Sequence, residues 1–149
     1  MRVVVQRVKN ATCHVDGKLT GKCDNGFMIL VGFTLTDTEA ELKLLAKKVA
    51  GLRVFNDENM KMNKSLKDIN GTILSISQFT LYADAKHGNR PSFTEALPGD
   101  KAKVLYDKFN NILRTEYNLH VEEGIFGADM KVQFLNDGPV TIILDSKEL

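Results

Sequence analysis

Gly26-Phe27-Met28-Ile29-Leu30-Val31-Gly32-Phe33 is the stretch from which the fold of this chain can be worked out. An apolar run of this length, with no polar position and with glycines as punctuation, marks a strand covered on both faces. A few residues later the period changes. Thr36 with Glu39 fits a capping box, and Leu42, Leu45, Ala46, Val49 and Leu52 then recur at helical spacing. That helix turns Lys43, Lys47 and Lys48 to solvent. A buried strand that feeds an amphipathic helix needs further strands on either side, and the rest of the chain supplies them.

Upstream, residues 1–8 are rich in valine, and residues 11–16 and 19–24 flank the turn dipeptide Asp16–Gly17. Such a hairpin sets Cys13 and Cys23 facing each other as inert structural thiols. Downstream, residues 56–70 form a polar surface loop carrying Lys61, Lys64 and Lys67. Strand character returns over Gly71–Tyr82. A second polar loop, Ala83–Pro98, carries Lys86, His87 and Arg90. Asp100 is the expected cap of a second helix, whose core stripe is Ala102, Leu105, Tyr106, Phe109, Ile112, Leu113 and Tyr117. Two alternating strands, Met130–Leu135 and Val140–Leu144, close the chain around Asn136–Asp137–Gly138–Pro139. The class is α+β, a mostly antiparallel sheet with two amphipathic helices against it, in one domain over residues 1–149.

The arithmetic agrees. With 149 residues, 43% of them hydrophobic and 26% charged, the chain is neither disordered nor of low complexity. A domain of this size buries about 68–70% of its unfolded surface, enough for a core without staples. Twenty Lys+Arg against nineteen Asp+Glu leave a formal charge of +1, which argues against a protein that coats DNA. Two cysteines are too few for a disulfide scaffold. No apolar run suits a signal peptide or a membrane span, so a cytoplasmic protein with reduced thiols is expected.

Standard chemical motifs are nearly absent. There is no GxSxG elbow, no HExxH and no Cys/His cluster at zinc spacing. Gly17-Lys18-Leu19-Thr20-Gly21-Lys22 is one residue short of a phosphate loop, and Cys23 stands where Ser or Thr is required. His14, His87 and His120 lie in unrelated contexts, and His120 has no evident partner. Two segments stand out. In Ser75-Ile76-Ser77-Gln78-Phe79-Thr80-Leu81 an apolar strand turns polar on both faces, as a strand does where it opens into a site. In Asp137–Gly138–Pro139 an Asp-Gly pair marks a two-residue hairpin, yet Pro139 has no N–H to donate across it, so a cis Gly138–Pro139 bond is expected instead.

At these segments the sequence resembles the D-aminoacyl-tRNA deacylases, formerly called D-tyrosyl-tRNA deacylases. Ser77-Gln78-Phe79-Thr80-Leu81 is similar to the family's SQFTL motif, and Asn136-Asp137-Gly138-Pro139-Val140-Thr141 to its NxGPxT motif. Gly88-Asn89-Arg90-Pro91-Ser92-Phe93 is similar to the segment after the first motif. The opening MRVVVQRV and the length agree as well, so the likeness spans the chain. It carries no role onto Cys13, Cys23 or His87.

The resemblance implies a partly rolled antiparallel sheet and a homodimer with the active site at the subunit interface. It implies hydrolysis of the ester joining a D-amino acid, or glycine, to the 3′-terminal adenosine of tRNA, which is chiral proofreading in translation, with neither metal nor cofactor. Ser77, Gln78, Phe79 and Thr80 would form the catalytic floor. Asn136, Gly138, Pro139, Thr141 and Arg90 would bind substrate, the Gly-Pro turn coming from the other subunit. Chemistry fits this: an aminoacyl ester is already activated, so backbone N–H groups of Phe79 and Thr80 can hold the oxyanion while the ribose 2′-OH assists. A nucleophilic Thr80 is the competing mechanism, though it lacks an adjacent base. Rival functions are a non-catalytic RNA-binding module, resting on Lys61, Lys64, Lys67, Lys86, Lys101, Lys103 and Arg90, and a structural dimer or small-ligand binder of the same fold.

Overall fold

The computed structural model describes residues 1–149. Strand β1 (Arg2–Val15) turns through Asp16 and Gly17, both at positive φ, into β2 (Lys18–Gly32). Helix α1 (Glu39–Gly51) follows, then a small hairpin of β3 (Phe55–Asn56) and β4 (Met62–Lys64). Strand β5 (Thr72–Ser77) runs into a 3-10 turn (Phe79–Tyr82), then come helix α2 (Gly99–Glu116), β6 (Val121–Glu123) and β7 (Lys131–Asp145). The main sheet has the order β6-β5-β2-β1-β7. Its two long interfaces, β1–β2 and β1–β7, are antiparallel as expected, whereas β5 and β6 join in parallel. The sheet curls at that side, where the Lys22 amide near the start of β2 donates to Glu122 Oε1 across 3.1 Å.

The alternation of β2 explains the two-sided burial expected of residues 26–33. Phe27, Ile29, Val31 and Phe33 face the helices in a core of 24 buried residues that also holds Leu42, Leu45, Val49, Tyr106, Phe109 and Leu113. Met28 faces the other way, into a cluster of 7 with Val8, Cys13, Cys23, Leu74 and Ile76. No helix covers that second face, and Leu30, Met130, Val132 and Phe134 lie half-buried along it. No helix is long and apolar enough to cross a membrane.

Several boundaries differ from the sequence reading. The capping box of α1 is Thr38 with Glu41, one pair later than Thr36 with Glu39: Glu41 Oε2 accepts from the Thr38 amide at 2.6 Å, and Thr38 Oγ1 accepts from the Ala40 amide at 3.3 Å. Asp37 fixes that choice, since its carboxylate takes the Met1 ammonium (2.6 Å) and the Thr34 amide (2.7 Å). Helix α2 is not capped by Asp100. It starts behind the extended Pro98, whose carbonyl accepts the Ala102 amide at 2.9 Å, and Asp100 sits inside the first turn, where its charge suits the helix dipole. Cys13 and Cys23 share a face and remain free, but they are not opposite each other: Cys13 pairs with Gly21 and Cys23 with Ala11.

The capping assignment can be checked by stability. Thr38→Ala should cost about 1 kcal/mol in urea unfolding, while Thr36→Ala should stay within roughly 0.5 kcal/mol of the parent. Equal losses at the two positions would place the cap wrongly.

Candidate functional site

The polar end of β5 is not a continuing strand. After Ser77 the chain turns: the Gln78 amide donates to Val31 O at 2.8 Å, and Phe79–Tyr82 winds into a 3-10 turn whose first internal bond runs from the Leu81 amide to Gln78 O at 3.3 Å. The Phe79 and Thr80 amides precede that bond, so they are the donors that the start of such a turn leaves over. Both residues are exposed. Gln78 Nε2 donates to Thr80 Oγ1 at 2.6 Å.

Ser77, Gln78 and Phe79 stand on the rim of a cavity of about 730 Å³ that runs from the second face of the sheet to the start of α2. Gln6, Met28, Leu30, Ile76, Phe33, Leu97, Phe126 and Phe134 line it too. Phe93, from the Gly88–Phe93 segment, meets Phe79 edge to face with ring centroids 5.0 Å apart. Arg90 of that segment is exposed, in a loop closed by paired Asp84–Ser92 backbone bonds of 2.8 Å, and it does not line the cavity.

Behind the turn, Arg2 reaches three groups. Its Nε donates to Asp145 Oδ2 (2.7 Å), its Nη1 donates to Leu81 O (2.8 Å), and its guanidinium lies 4.5 Å over the Tyr82 ring. Burial alone would raise the Asp145 carboxyl, but the Arg2 hydrogen bond, the Lys147 amide and the charges of Arg2 and the N-terminus together hold it below its ordinary value. Burial pushes the Tyr82 phenol well up, so its ring stays neutral.

The second segment is no hairpin. Strand β7 passes straight through Asn136–Thr141, and the expected turn is a bulge within one strand. Gln6 pairs with Thr141 and Val8 with Asn136, so Asp137 to Val140 stand opposite Arg7 alone. The ladder resumes beyond the bulge, which is why a chain without a donor at Pro139 is tolerated there. The Gly138–Pro139 peptide is cis. Arg7, 8% exposed, fills the space beneath: its Nε donates to Asp137 O at 2.8 Å and its Nη1 to Val54 O at 2.6 Å. Thr141 Oγ1 bonds Gln6 Oε1 at 2.6 Å. Asn136, Gly138, Pro139 and Thr141 are all exposed.

The two segments do not meet within one chain. Ser77 pairs with Val31 and Ile73 with Phe27, and Phe27 faces Arg7. They are thus offset by about four residues along the strands, ~13 Å, and by about three strand spacings across them, ~14 Å, which places them on the order of 20 Å apart.

Gln6, Arg7 and Phe93 were not singled out from the sequence. The signal for the first two was a polar pair inside an otherwise valine-rich strand. None of the histidines lines the cavity, and His120 does have a partner: its Nε2 lies 2.7 Å from Glu122 Oε2, a hydrogen bond that holds the Glu122 carboxyl below its usual range. Of the lysines on which an RNA-binding reading rests, Lys64 pairs with Glu58 and Lys103 with Asp107. No three His, Cys, Asp or Glu side chains converge as a metal centre requires.

Comparison with known proteins gives a consistent answer. A family profile described as D-Tyr-tRNA(Tyr) deacylase matches residues 4–145. A D-aminoacyl-tRNA deacylase of Thermosipho africanus (strain TCF52B) is 54% identical over 149 residues, covering 100% of this chain and 99% of its own. Its counterpart in Clostridium novyi (strain NT) is 55% identical over 148 residues, with 99% of each chain covered. Among solved structures, a c-Myc DNA unwinding element binding protein superposes with a TM-score of 0.92 at 41% identity, covering 97% of this chain and 98% of its own. A probable eukaryotic D-amino acid tRNA deacylase shares the fold, with a TM-score of 0.82 at 19% identity over 96% of this chain and 97% of its own.

The bulge depends on Gly138, which sits at φ +137. A Cβ there would lie 2.9 Å from Arg7 Nη2 and 3.0 Å from the Val140 backbone nitrogen. Gly138→Ala should therefore destabilise the protein by ~1–3 kcal/mol in denaturant titration, with faster amide exchange around Asp137. A variant as stable and as protected as the parent would show that the bulge tolerates a side chain.

Proposed function

The chain belongs to the D-Tyr-tRNA(Tyr) deacylase family and hydrolyses the ester of D-aminoacyl-tRNA, and from that premise we propose how its residues divide the work. The leftover amides of Phe79 and Thr80 hold the oxyanion, and the Gly138–Pro139 bulge of the partner subunit holds the substrate's α-ammonium. The observation that carries the proposal is the separation just described. In an aminoacyl ester the ammonium nitrogen is two bonds from the reacting carbonyl, so segments on the order of 20 Å apart cannot touch both within one chain. A second copy across the uncovered apolar face brings one chain's bulge to the other's turn. That face, with Met28, Leu30, Val132 and Phe134, is the surface a two-fold partner would cover.

The reaction needs little from side chains. Water attacks the ester carbonyl, negative charge grows on its oxygen, and the C–O bond to the ribose breaks as the 3′-oxygen takes a proton. Two amides aimed at the growing charge supply the stabilisation. The ribose 2′-OH next to the ester is the group placed to orient the water or pass the proton. Thr80 is poorly set as a nucleophile. Its oxygen accepts a hydrogen bond from the Gln78 side-chain Nε2, and a neutral carboxamide offers no base in either orientation. With the ammonium held by the carbonyls of Gly138 and Pro139, an L side chain would point into the bulge and a D side chain away from it. Glycine would pass, and many D residues would be accepted because their side chains are never read.

Pure protein incubated with matched D- and L-aminoacyl-tRNA should release only the D-amino acid. Equal rates would remove the stereochemical claim, and intact ester in both cases would favour a binding module. The oxyanion assignment has its own test. Phe79 begins its turn, a position that accepts proline, so Phe79→Pro deletes one donor while Phe79→Ala deletes only the ring. Phe79→Pro should lose a further ~10²–10³ in kcat relative to Phe79→Ala, while Thr80→Ala and Ser77→Ala keep most activity. If Thr80→Ala instead drops to the uncatalysed rate with fold and binding intact, the threonine is the nucleophile.

Subunit mixing tests the assembly. One inactive chain altered at Gly138 and another blocked at Phe79 should regain one working site per mixed dimer. Heterodimers that form and stay inactive would rule out the shared site.

A further inference from the structure

We infer that Arg2 is a positioning residue for the reaction: its guanidinium clamps the Phe79–Tyr82 turn to the end of β7 and so sets the direction of the Phe79 and Thr80 amides. The inference rests on the proposed role of that turn. Three observations carry it.

First, the turn is short and its leading residues are exposed, so its direction depends on what holds its trailing end. The Leu81 carbonyl lies at that end, among the acceptors a helical turn leaves unpaired, and Arg2 Nη1 donates to it at 2.8 Å. The Leu81 amide is in turn bonded to Gln78 O, so a shift of Leu81 is passed to the segment that presents Phe79 and Thr80.

Second, the guanidinium is held from behind. Arg2 is paired with Asp145 in the β1–β7 ladder, and Arg2 Nε donates to Asp145 Oδ2 at 2.7 Å. Asp145 Oδ1 also accepts the Lys147 amide at 3.0 Å, which fixes the carboxylate itself. A planar fork fastened on one edge to a rigid carboxylate presents its other edge in a set direction.

Third, the guanidinium lies over the ring of Tyr82, the last residue of the turn, at 4.5 Å. Tyr82 is 6% exposed and its hydroxyl has no hydrogen-bond partner, so this ring is placed by packing and by the cation above it. Arg2 therefore touches the turn at two adjacent residues through two kinds of contact. None of these contacts faces the cavity, and Arg2 does not line it, so the residue reaches the reacting groups only through the turn.

A small misplacement of reacting groups costs up to about 10²-fold in rate, while ground-state binding of the tRNA is little affected. Arg2→Ala and Arg2→Lys should each lower kcat on D-aminoacyl-tRNA by roughly 10- to 100-fold, with KM within about 3-fold of the parent. Lysine keeps the charge but cannot span Asp145 and Leu81 as a fork does, so it should stay impaired at an unchanged melting temperature. Added methylguanidinium should restore part of the kcat of Arg2→Ala and leave Phe79→Pro unchanged. If Arg2→Ala fails to fold, Arg2→Lys carries the measurement. Parent-like kcat in a folded Arg2 variant, with Phe79→Pro still impaired relative to Phe79→Ala, would overturn the role of Arg2 and leave the turn's role standing. Phe79→Pro as active as Phe79→Ala would instead overturn the role of the turn.

Discussion

Strand β1 is bonded along both edges, and the break in one of those edges organises the molecule. On the β2 side its ladder runs from Arg2 to Val15 with one shift, while on the β7 side the residues Asp137 to Val140 crowd opposite the single residue Arg7. A buried guanidinium is costly unless its donors are used. Here the Asp137 and Val54 carbonyls accept from it, and the Asp137 carboxylate lies 3.8 Å away. Arg7 needs the bulge for its partners, and the bulge needs Arg7 beneath it. Once β7 is bent out at that point, the Gly138–Pro139 pair is exposed at the sheet margin with strand on both sides.

The same alternation that buries Arg7 sorts everything else. On the helix side Phe27, Ile29 and Val31 meet α1 and α2, and the apolar area there accounts for the fold's stability. On the other side Met28 and Ile76 pack into the smaller cluster, and with Leu30 they border the cavity. A sheet with helices on one face only has its second face left for a partner, a ligand, or both. The cavity rim carries Gln6, Ser77, Gln78 and Phe79, so the polar groups gather where the apolar face ends.

Much of this was legible in the residues, and each failure has a physical cause. The buried strand 26–33 and both helical stripes followed from period alone, because burial on one or two faces leaves a direct trace in sequence. The hairpin at Asp137–Gly138 was a sound local reading defeated by β1, whose two-sided pairing keeps β7 on one line and expels the extra residues as a bulge. The capping box slid from Thr36 to Thr38 because Asp37 was already bound to Met1 and Thr34, far away in sequence or in the wrong turn. The strand expected through Tyr82 ends at Ser77: the Gln78 amide completes the last rung of the ladder at Val31, and the Gln78 carbonyl then accepts the Leu81 amide and winds the chain into the 3-10 turn. At the bulge local propensity was overruled by a partner that no window of sequence contains, whereas the cap and the 3-10 turn are local patterns that competed with equally local ones.

That distinction bears on the chemistry. A serine, histidine and aspartate in the right order would have been visible in the sequence, but main-chain amides at the start of a turn carry no residue signature. Their direction depends on whatever holds the turn, and here that is Val31 of β2, which accepts the Gln78 amide, and Arg2 of β1, which reaches Leu81 and Tyr82 and is itself held by Asp145 of β7. The substrate permits such an arrangement, since its ester is activated and its ribose carries a hydroxyl beside the bond to be broken. What the protein must add is direction and exclusion, and both are properties of backbone held in place. Were the reaction to run on these amides, as proposed, the site would rest on Arg7 under the bulge and Arg2 behind the turn, two side chains of β1 that act through the backbone they hold.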